Sequence, residues 1–454
     1  MNVVLTPLKI FPRLPPRWLW IRFAFVFLML APSFALCQPL LSREEAVRLA
    51  LTQASNYEQL QLNEKSVAED VRQAQTAFLP KVIASPSLIY NTPSIGADIA
   101  HTPSFIGSNA ISEFQGLVGV TGEIDVAKRL RATLNRNRAL LEAAHAGTEI
   151  ARRALIQGTE ESYYALALAN ARKRLSEQTL EAALEFERIT GLLVTGGEVA
   201  PVDAVRARLQ TAARRDELEQ TAANEAVAAD ALRVLIGSEI NASITTIDLL
   251  TALPDATELQ NFAPIISAEA INSSITKRPE FLQFDALRRA AIADVGLARS
   301  ERRPQFSYSL SGGFASDALR WTSLKQHSGV LATFSLTIPI FDWGASRSRE
   351  LQAQLRSQAL ESTRTVALRG YAQQFSTARV QAISASARIR LAGNSLTDAQ
   401  HNVEVSIARY KAGEAQIVEV TDAQNTLAAQ RIALAQAIYD YQVALARLRQ
   451  ATGK

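Results

Sequence analysis

The sequence predicts a mainly α-helical protein with a small transmembrane β part, built from two tandem repeats of helix, strand, strand, long helix and helix. Three observations predict this fold class. A glycine-containing turn motif occurs twice, 216 residues apart. Stretches that alternate apolar and hydroxyl side chains lie between helical segments, and long proline-free stretches carry an apolar residue at every seventh position.

The first 37 residues are predicted to be a cleaved export signal. Basic residues precede an apolar run at residues 23–31, which is too short to span a bilayer. Cys37 is the single cysteine, so no internal disulfide can form. It leaves two interpretations open: an ordinary cysteine at the edge of the signal, which the preceding Leu36 favours, or a lipidated N-terminus.

Charge and composition argue against several classes of function. The signal holds four of the 48 basic residues and no acidic residue, which leaves 44 basic against 44 acidic residues. A near-neutral mature chain predicts no nucleic-acid partner. The sequence has no phosphate-binding glycine loop, no HExxH motif and no paired cysteines, and its histidines are scattered. We therefore expect no cofactor, no metal site and no enzymatic activity.

The turn motif predicts a duplicated domain. Gly197 and Glu198 align with Gly413 and Glu414, and the residues that follow also match. A period this long exceeds that of any solenoid repeat. The predicted organisation is a signal at 1–37, a first repeat at 38–237, a linker or equatorial belt at 238–266 and a second repeat at 267–454.

Each repeat is predicted to hold two strands. They span residues 82–90, 114–124, 305–313 and 329–340. Alternation of apolar and hydroxyl residues indicates a sheet that is wetted on one face, and ten residues suffice to cross a bilayer when tilted. A periplasmic β-sandwich is the alternative. On the membrane interpretation, the lipid-facing side chains are Phe306, Tyr308, Leu310, Phe334, Leu336 and Ile338.

The strand count predicts an oligomer. Four strands cannot close a membrane barrel, since closed barrels begin at about eight strands. Open edges in lipid would leave backbone N–H and C=O groups without partners. A barrel made from these strands must therefore be shared between chains.

The helices that follow the strands are predicted to be long coiled coils. A helix of some 70 residues is about 100 Å long, which suits a protein that crosses a wide gap. The heptad positions of the second repeat are Leu368, Phe375, Ala382, Ile389, Leu396, Val403 and Tyr410, then Val420, Leu427, Leu434, Tyr441 and Leu448. Those of the first repeat are Leu168, Leu175, Ala182 and Ile189.

The two glycine motifs are predicted to reverse the chain at one end of the coiled coil. Gly supplies the left-handed backbone conformation that ends a helix, and Pro201 suits the first turn of the next helix. Acidic residues follow both turns.

The quoted motifs together resemble the TolC-like outer-membrane efflux family. The motifs that carry the resemblance are LSREEAVRLALTQASN from Leu41, AQTAFLPKV around Pro80, RPEFLQFDALRRAAIADVGLARSERRPQFSYS around Pro304, PIFDWGASRSR from Pro339 and RYKAGEAQIVEVTDAQ from Arg409. The resemblance implies a homotrimer whose strands form one shared twelve-stranded barrel in outer-membrane lipid. It also implies a trimeric helical tunnel through the periplasm, a periplasmic adaptor (membrane fusion) protein and an inner-membrane pump.

The resemblance also implies two sets of site residues at the hairpin ends. Glu419 and Asp422 fall on the carboxylate rings of a periplasmic constriction, and Tyr410 and Asp203 fall on a link that holds it closed. A position that carries an Arg link in the family is Ala415 here. The turns are expected to contact the adaptor through Gly197, Glu198, Gly413 and Glu414.

The predicted function is a passive, porin-like efflux or type I secretion conduit in the outer membrane, with helices that extend into the periplasm. The alternative is a periplasmic coiled-coil adaptor or scaffold without a pore. Two hairpins, each joined to strands of membrane-spanning length, favour the conduit.

Overall fold

The computed structural model describes residues 40–53, 55–90, 92, 112–239, 244–247, 250, 257–262 and 267–453. The predicted signal and part of the predicted belt lie outside the described residues. In chain order the elements are β1 Leu40–Leu41, α1 Arg43–Thr52, α2 Asn56–Thr76, β2 Lys81–Tyr90, β3 Ser112–Ile124, α3 Arg129–Thr195, α4 Pro201–Ile236, β4 Thr245–Thr246, α5 Thr257–Gln260, α6 Ala268–Ile275, α7 Pro279–Ser300, β5 Gln305–Ser316, α8 Trp321–Gln326, β6 Ser328–Thr337, α9 Ala345–Lys411 and α10 Ile417–Thr452.

Helices dominate the described chain, so the mainly helical prediction is confirmed. The long helices α3 and α9 have 67 residues each, and the return helices α4 and α10 have 36 each. At about 1.5 Å per residue, the long helices extend for about 100 Å. Within the described ranges, none of the helices combines the length and the apolar composition that crossing a membrane requires.

Aspartates stabilise both connections between a strand and the long helix that follows it. The Asp125 carboxylate accepts the Leu130 and Arg131 N–H groups at 2.9 and 3.0 Å, next to the start of α3. The Asp342 carboxylate accepts the Ser346 N–H at 2.8 Å, next to the start of α9. Hydrogen bonds from the Ser346 hydroxyl and N–H lower the pKa of Asp342. Both aspartates thus satisfy N–H groups that a helix start leaves free.

The four long strands form one antiparallel sheet in the order β2-β3-β5-β6. Tyr308 lies opposite Phe334, Phe306 opposite Leu336, and Leu310 is two residues further along the same face. The rings of Phe306 and Phe334 stack with centroids 6.3 Å apart. Five of the six predicted lipid-facing residues therefore share one face of the sheet.

Ile338 is the exception, because β6 ends at Thr337. The prediction that the strand continues to residue 340 is wrong at this end. Pro339 has no N–H to donate, and it restricts the backbone of the residue before it. Ile338 lies in the exposed connection to α9.

Glycines in β3, which weaken its strand pattern in the sequence, make room for aromatic rings from β5. A Cβ atom added to Gly116 would lie 2.6 Å from the ring of Phe314, and one added to Gly122 would lie 2.5 Å from the Tyr308 hydroxyl. Large rings on one strand thus pack over glycines on its neighbour, an arrangement that stabilises a sheet at glycine positions.

The heptad pattern of the second repeat coincides with burial at half of its positions, and the other six are half-buried: Leu368, Leu396, Val403, Tyr410, Leu427 and Leu434. Phe375, Ala382 and Ile389 are buried on α9, as are Val420, Tyr441 and Leu448 on α10. The companion positions three residues later are mostly alanine and are also buried: Ala378, Ala385, Ala392 and Ala399, with Ala423, Ala437 and Ala444. Small side chains on this seam let the two helix backbones approach closely.

The predicted seam of α3 is wrong by one residue over most of its length. Leu168 is buried, but Ala182 is exposed and Leu175 and Ile189 are only half-buried. The buried heptad positions are instead Ala169, Ser176, Ala183 and Thr190. These small residues let α4 come close enough to bond: the Ser176 and Thr221 hydroxyls are 2.7 Å apart.

The largest core lies midway along the helices. Tyr163, Tyr441, Phe281 and Phe375 are fully buried there. The Tyr163 hydroxyl donates to the Leu41 carbonyl at 3.1 Å, which ties the short parallel pair of β1 and β4 to α3. This core holds the two helical hairpins together, and their turns project away from it.

We predict that Gly313→Ala lowers the thermal unfolding temperature of the purified protein, whereas Gly312→Ala leaves it unchanged. Gly313 has a φ of +156°, and an added Cβ atom would overlap the Gly116 carbonyl. Such backbone strain costs about 1–3 kcal/mol. The neighbouring Gly312 offers only ordinary contacts at 3.7 Å. Equal unfolding temperatures for the two variants would contradict the role assigned to Gly313.

Candidate functional site

The two hairpin turns have the same backbone structure. The Glu198 N–H donates to the Leu193 carbonyl at 2.9 Å, and the Glu414 N–H donates to the Arg409 carbonyl at 2.9 Å. Gly197 lies within the first of these closures and Gly413 within the second, with φ of +77° and +75°. This six-residue closure around a left-handed glycine is a Schellman motif. It ends each long helix and reverses the chain.

Acidic residues occupy the first turn of both return helices, as the alignment of the two motifs predicts. Asp203 lies in the first turn of α4, which begins at Pro201, and Glu419 lies in the first turn of α10. A carboxylate at a helix N-terminus interacts favourably with the helix dipole, by about 0.3–1 kcal/mol. The placement therefore stabilises the helices, whatever else these groups do.

A small apolar cluster joins the end of one hairpin to the end of the other. Phe186 of α3 packs with Ile417 and Val420 of α10, and Ile407 and Tyr410 of α9 lie against them. The centroids of the Phe186 and Tyr410 rings are 5.7 Å apart. This hairpin-end cluster, separate from the central core, keeps the two turns at the same end of the chain.

Each acid in the first helical turns has an arginine beside it. Glu419 pairs with Arg409 across the turn, from α10 to the last residues of α9. Asp203 pairs with Arg206 of the same helix at 3.3 Å. Asp422 is exposed and has no side-chain partner within the described residues.

The Tyr410 hydroxyl is buried and has no hydrogen-bond partner in the described part of the chain. Within one chain, therefore, Tyr410 and Asp203 are not linked, and Asp203 bonds to Arg206 instead. The link between Tyr410 and Asp203 stays a prediction about the assembled protein. A buried hydroxyl without a partner is costly, by about 1–3 kcal/mol, so a partner from another chain would stabilise it.

The turns themselves are exposed. Gly197, Glu198, Gly413 and Glu414, the four residues predicted to contact an adaptor, all lie on the surface. Nothing comes within 4 Å of a Cβ atom added to either glycine. The space around both turns is therefore free for a partner.

Sequence reasoning missed two contributors to this site. Phe186 lies outside the heptad predicted for α3, and its burial depends on the approach of α9 and α10. Arg409 immediately precedes Tyr410 and stands ten residues before its partner Glu419. One signal in the sequence could have identified this pair. An arginine stands in the last turn of one helix, and an acidic residue stands in the first turn of the helix that returns from it.

The family model described as "Outer membrane efflux protein" matches residues 46–238 and 270–454, which is most of the chain. The chain belongs to the outer membrane efflux protein family. The four long strands, the long helices and both turns fall within the matched residues. The predicted signal and all of the predicted belt except residue 238 fall outside them.

Known relatives agree with this assignment. Outer membrane protein OprJ of Pseudomonas aeruginosa is 28% identical over 362 residues, which are 76% of this chain and 71% of OprJ. Cobalt-zinc-cadmium resistance protein CzcC of Cupriavidus metallidurans is 25% identical over 319 residues, 68% of this chain and 70% of CzcC. The crystal structure of the Campylobacter jejuni CmeC outer membrane channel has the same fold, with a TM-score of 0.78 at 20% identity, covering 90% of this chain and 85% of CmeC.

As a member of the outer membrane efflux protein family, the protein is an outer-membrane efflux channel. The resemblance recognised from the motifs is thereby confirmed, as are the predicted function and the outer-membrane location. The alternative, a periplasmic adaptor without a pore, is not favoured. The family consists of transport channels rather than enzymes.

We predict that Phe186→Ala loosens the hairpin ends. Removing a buried Phe side chain costs about 3–5 kcal/mol, and this ring is the part of the hairpin-end cluster that α3 contributes. Hydrogen–deuterium exchange of peptides that cover residues 403–425 should become faster, while peptides from the central core should not change. Leu192→Ala is the matched control, because Leu192 lies on the same helix and is 61% exposed. Unchanged exchange in the Phe186 variant would show that the cluster does not hold the hairpins together.

Proposed function

We propose that three copies of this chain form one conduit across the outer membrane and the periplasm. The observation that carries the proposal is the pair of open sheet edges. Both edge strands, β2 and β6, are exposed along their whole length. Three four-stranded sheets joined edge to edge make a twelve-stranded barrel, which leaves no backbone group unpaired in lipid.

The proposed organisation of each chain is a tandem duplication. A first repeat at 38–237 and a second at 267–454 follow a signal at 1–37 and flank a linker at 238–266. Equal helix lengths and the shared Schellman turns support it. In the trimer the six hairpins form a coiled-coil tunnel, and the length of α3 and α9 suits the width of the periplasm.

The apolar face of the sheet is assigned to lipid. It carries Phe306, Tyr308, Leu310, Phe334 and Leu336. The opposite face carries hydroxyl residues, among them Ser307 and Ser309, and is assigned to the water-filled interior. Alternation of this kind is typical of membrane barrels that enclose a channel.

The hairpin ends are assigned to the periplasmic constriction. Glu419 and Asp422 of three chains would give up to six carboxylates around one opening, which favours cations over anions. Arg409, which pairs with Glu419, adds a positive charge to the proposed constriction. Glu419, Asp422 and Arg409 of one chain together carry two negative charges and one positive charge. The ring is therefore less negative than its acids alone suggest.

The exposed turns are assigned to the adaptor, and an inner-membrane pump is assigned as the energy source. Relatives have names that refer to cobalt, zinc and cadmium resistance and to toluene efflux. Such different cargoes on one fold support a conduit whose cargo is selected by the pump rather than by the tunnel wall.

The test of the proposed function is single-channel conductance of the purified protein in a planar bilayer, with ion selectivity. We expect cation-selective steps. In Glu419→Ala/Asp422→Ala the same three positions retain only Arg409, so selectivity should shift toward anions. Adding Arg409→Ala removes this positive charge as well and should give a nearly non-selective channel.

The matched control is Asp398→Ala/Glu404→Ala, which removes two exposed acids from α9 at a distance from the turn. Its selectivity should equal that of the unmodified protein. If the Glu419 and Asp422 substitutions leave the ion selectivity of the conductance steps unchanged, the constriction lies elsewhere. Folded, membrane-inserted protein without any conductance would overturn the conduit.

We predict that Glu198→Lys/Glu414→Lys abolishes co-purification with the cognate periplasmic adaptor after cross-linking. The Schellman turns depend on main-chain bonds, so charge reversal leaves their shape intact. Glu181→Lys, an exposed position on α3 far from the turn, is the control and should retain the adaptor. Full adaptor capture by the double variant would show that docking uses another surface.

A further inference from the structure

A groove between three long helices carries an unusual combination of groups. It lies where α3, α9 and α10 meet beside Leu250 and has a volume of about 280 Å³. Small-molecule sites measure about 300–1,000 Å³, so the groove is slightly smaller than the lower limit of that range. It lies outside both the hairpin-end cluster and the sheet.

The walls of the groove are apolar. Leu175 of α3, Leu396 of α9 and Leu434 of α10 line it together with Leu250. Leu250 is buried and has a φ of +49°, which is a rare conformation for a residue with a side chain of this size. Backbone strain of this kind persists where surrounding contacts impose it. The buried Leu250 side chain forms part of the groove wall.

Two arginines also line the groove, Arg174 and Arg431. Arg174 donates to the Asn170 carbonyl at 3.3 Å, and Arg431 donates to the Gln178 side-chain oxygen at 3.3 Å. Neither has a carboxylate within ion-pair distance in the described residues. Each guanidinium has five N–H donors, so most of its donors remain free.

Two other cations of these helices are paired with acids. Lys173, next to Arg174 in the chain, contacts the Glu225 carboxylate at 2.6 Å. Arg388 contacts the Asp440 carboxylate at 2.7 Å. Two unpaired guanidinium groups that share one apolar groove repel each other, and an anion placed between them removes this repulsion.

We propose that this groove binds an amphipathic anion: a short apolar chain lies against the four leucines, and a carboxylate or sulfate head group bonds to Arg174 and Arg431. Arginine binds such head groups with two parallel N–H donors, which is the geometry that a planar guanidinium offers. The volume fits a medium-chain fatty carboxylate or alkyl sulfate rather than a full lipid.

The ligand comes from water and not from the bilayer. Arg174 lies 45 residues beyond the start of α3 at Arg129, which places it about 70 Å from the sheet along the helix. A lipid that remains in the membrane does not reach it. A free amphiphile in the aqueous phase around the helices does.

The test is a fluorescence titration of the full-length protein in phosphatidylcholine nanodiscs with a dansyl-labelled undecanoate, and empty nanodiscs supply the background. We expect one saturable site per chain, weakened by a change from 50 mM to 500 mM salt. Arg174→Gln and Arg431→Gln should each weaken binding roughly tenfold, and the double variant should abolish the saturable component. An uncharged dansyl-labelled undecanol should show only background.

Two further variants separate the groove from general charge effects. Arg172→Gln is the matched control: Arg172 lies two residues away on α3, bonds to the Gln436 side chain at 2.7 Å and does not line the groove. It should bind as the unmodified protein does. Leu396→Trp keeps both arginines but fills the groove, and it should also lose the saturable component.

Three results would overturn the proposal. The first is saturable binding that the double variant retains, and the second is equal saturable binding of the uncharged analogue. The third is the absence of any saturable component, which would mean that a neighbouring chain covers the groove in the assembly. Conductance of the Arg174→Gln/Arg431→Gln variant should stay normal, so failure here is distinct from failure of the conduit.

Discussion

A backbone in lipid must pair all of its hydrogen-bonding groups, and the rest of this structure depends on that constraint. One chain offers a sheet whose outer strands, β2 and β6, are exposed throughout. In the barrel proposed above, strands from further copies of the chain pair with these edges. The proposed trimer follows from this need, and the helices are then brought together around a common axis.

The long helices meet a second constraint, which is to stay straight and paired over about 100 Å. Small residues solve it. Alanines such as Ala385 and Ala392 fill the seam between α9 and α10, and Ser176 and Ala183 fill that between α3 and α4. Close backbone approach gives continuous contact without large side chains. The larger rings, including Tyr163 and Phe375, are concentrated in the central core, where both hairpins meet.

Sequence reasoning succeeded where apolar side chains mark the buried face. The α9 seam has a regular period of apolar residues, so its buried face could be predicted. The α3 seam could not, because Ser176 has the appearance of a solvated residue until α4 covers it. Contacts between distant segments were also out of reach. Phe186 meets Tyr410 only after both hairpins have packed, and no local pattern specifies that contact.

The charges at the hairpin ends also determine which parts can move as units. Asp203 and Arg206 are on the same helix, so their ion pair is kept when the first hairpin shifts. The pair of Arg409 and Glu419 crosses the second turn, so α9 and α10 must stay together there. The contact of Phe186 with the second hairpin is apolar and has no ion pair to reinforce it. We therefore expect an opening at this end to separate the two hairpins from each other, while each hairpin keeps its own turn intact.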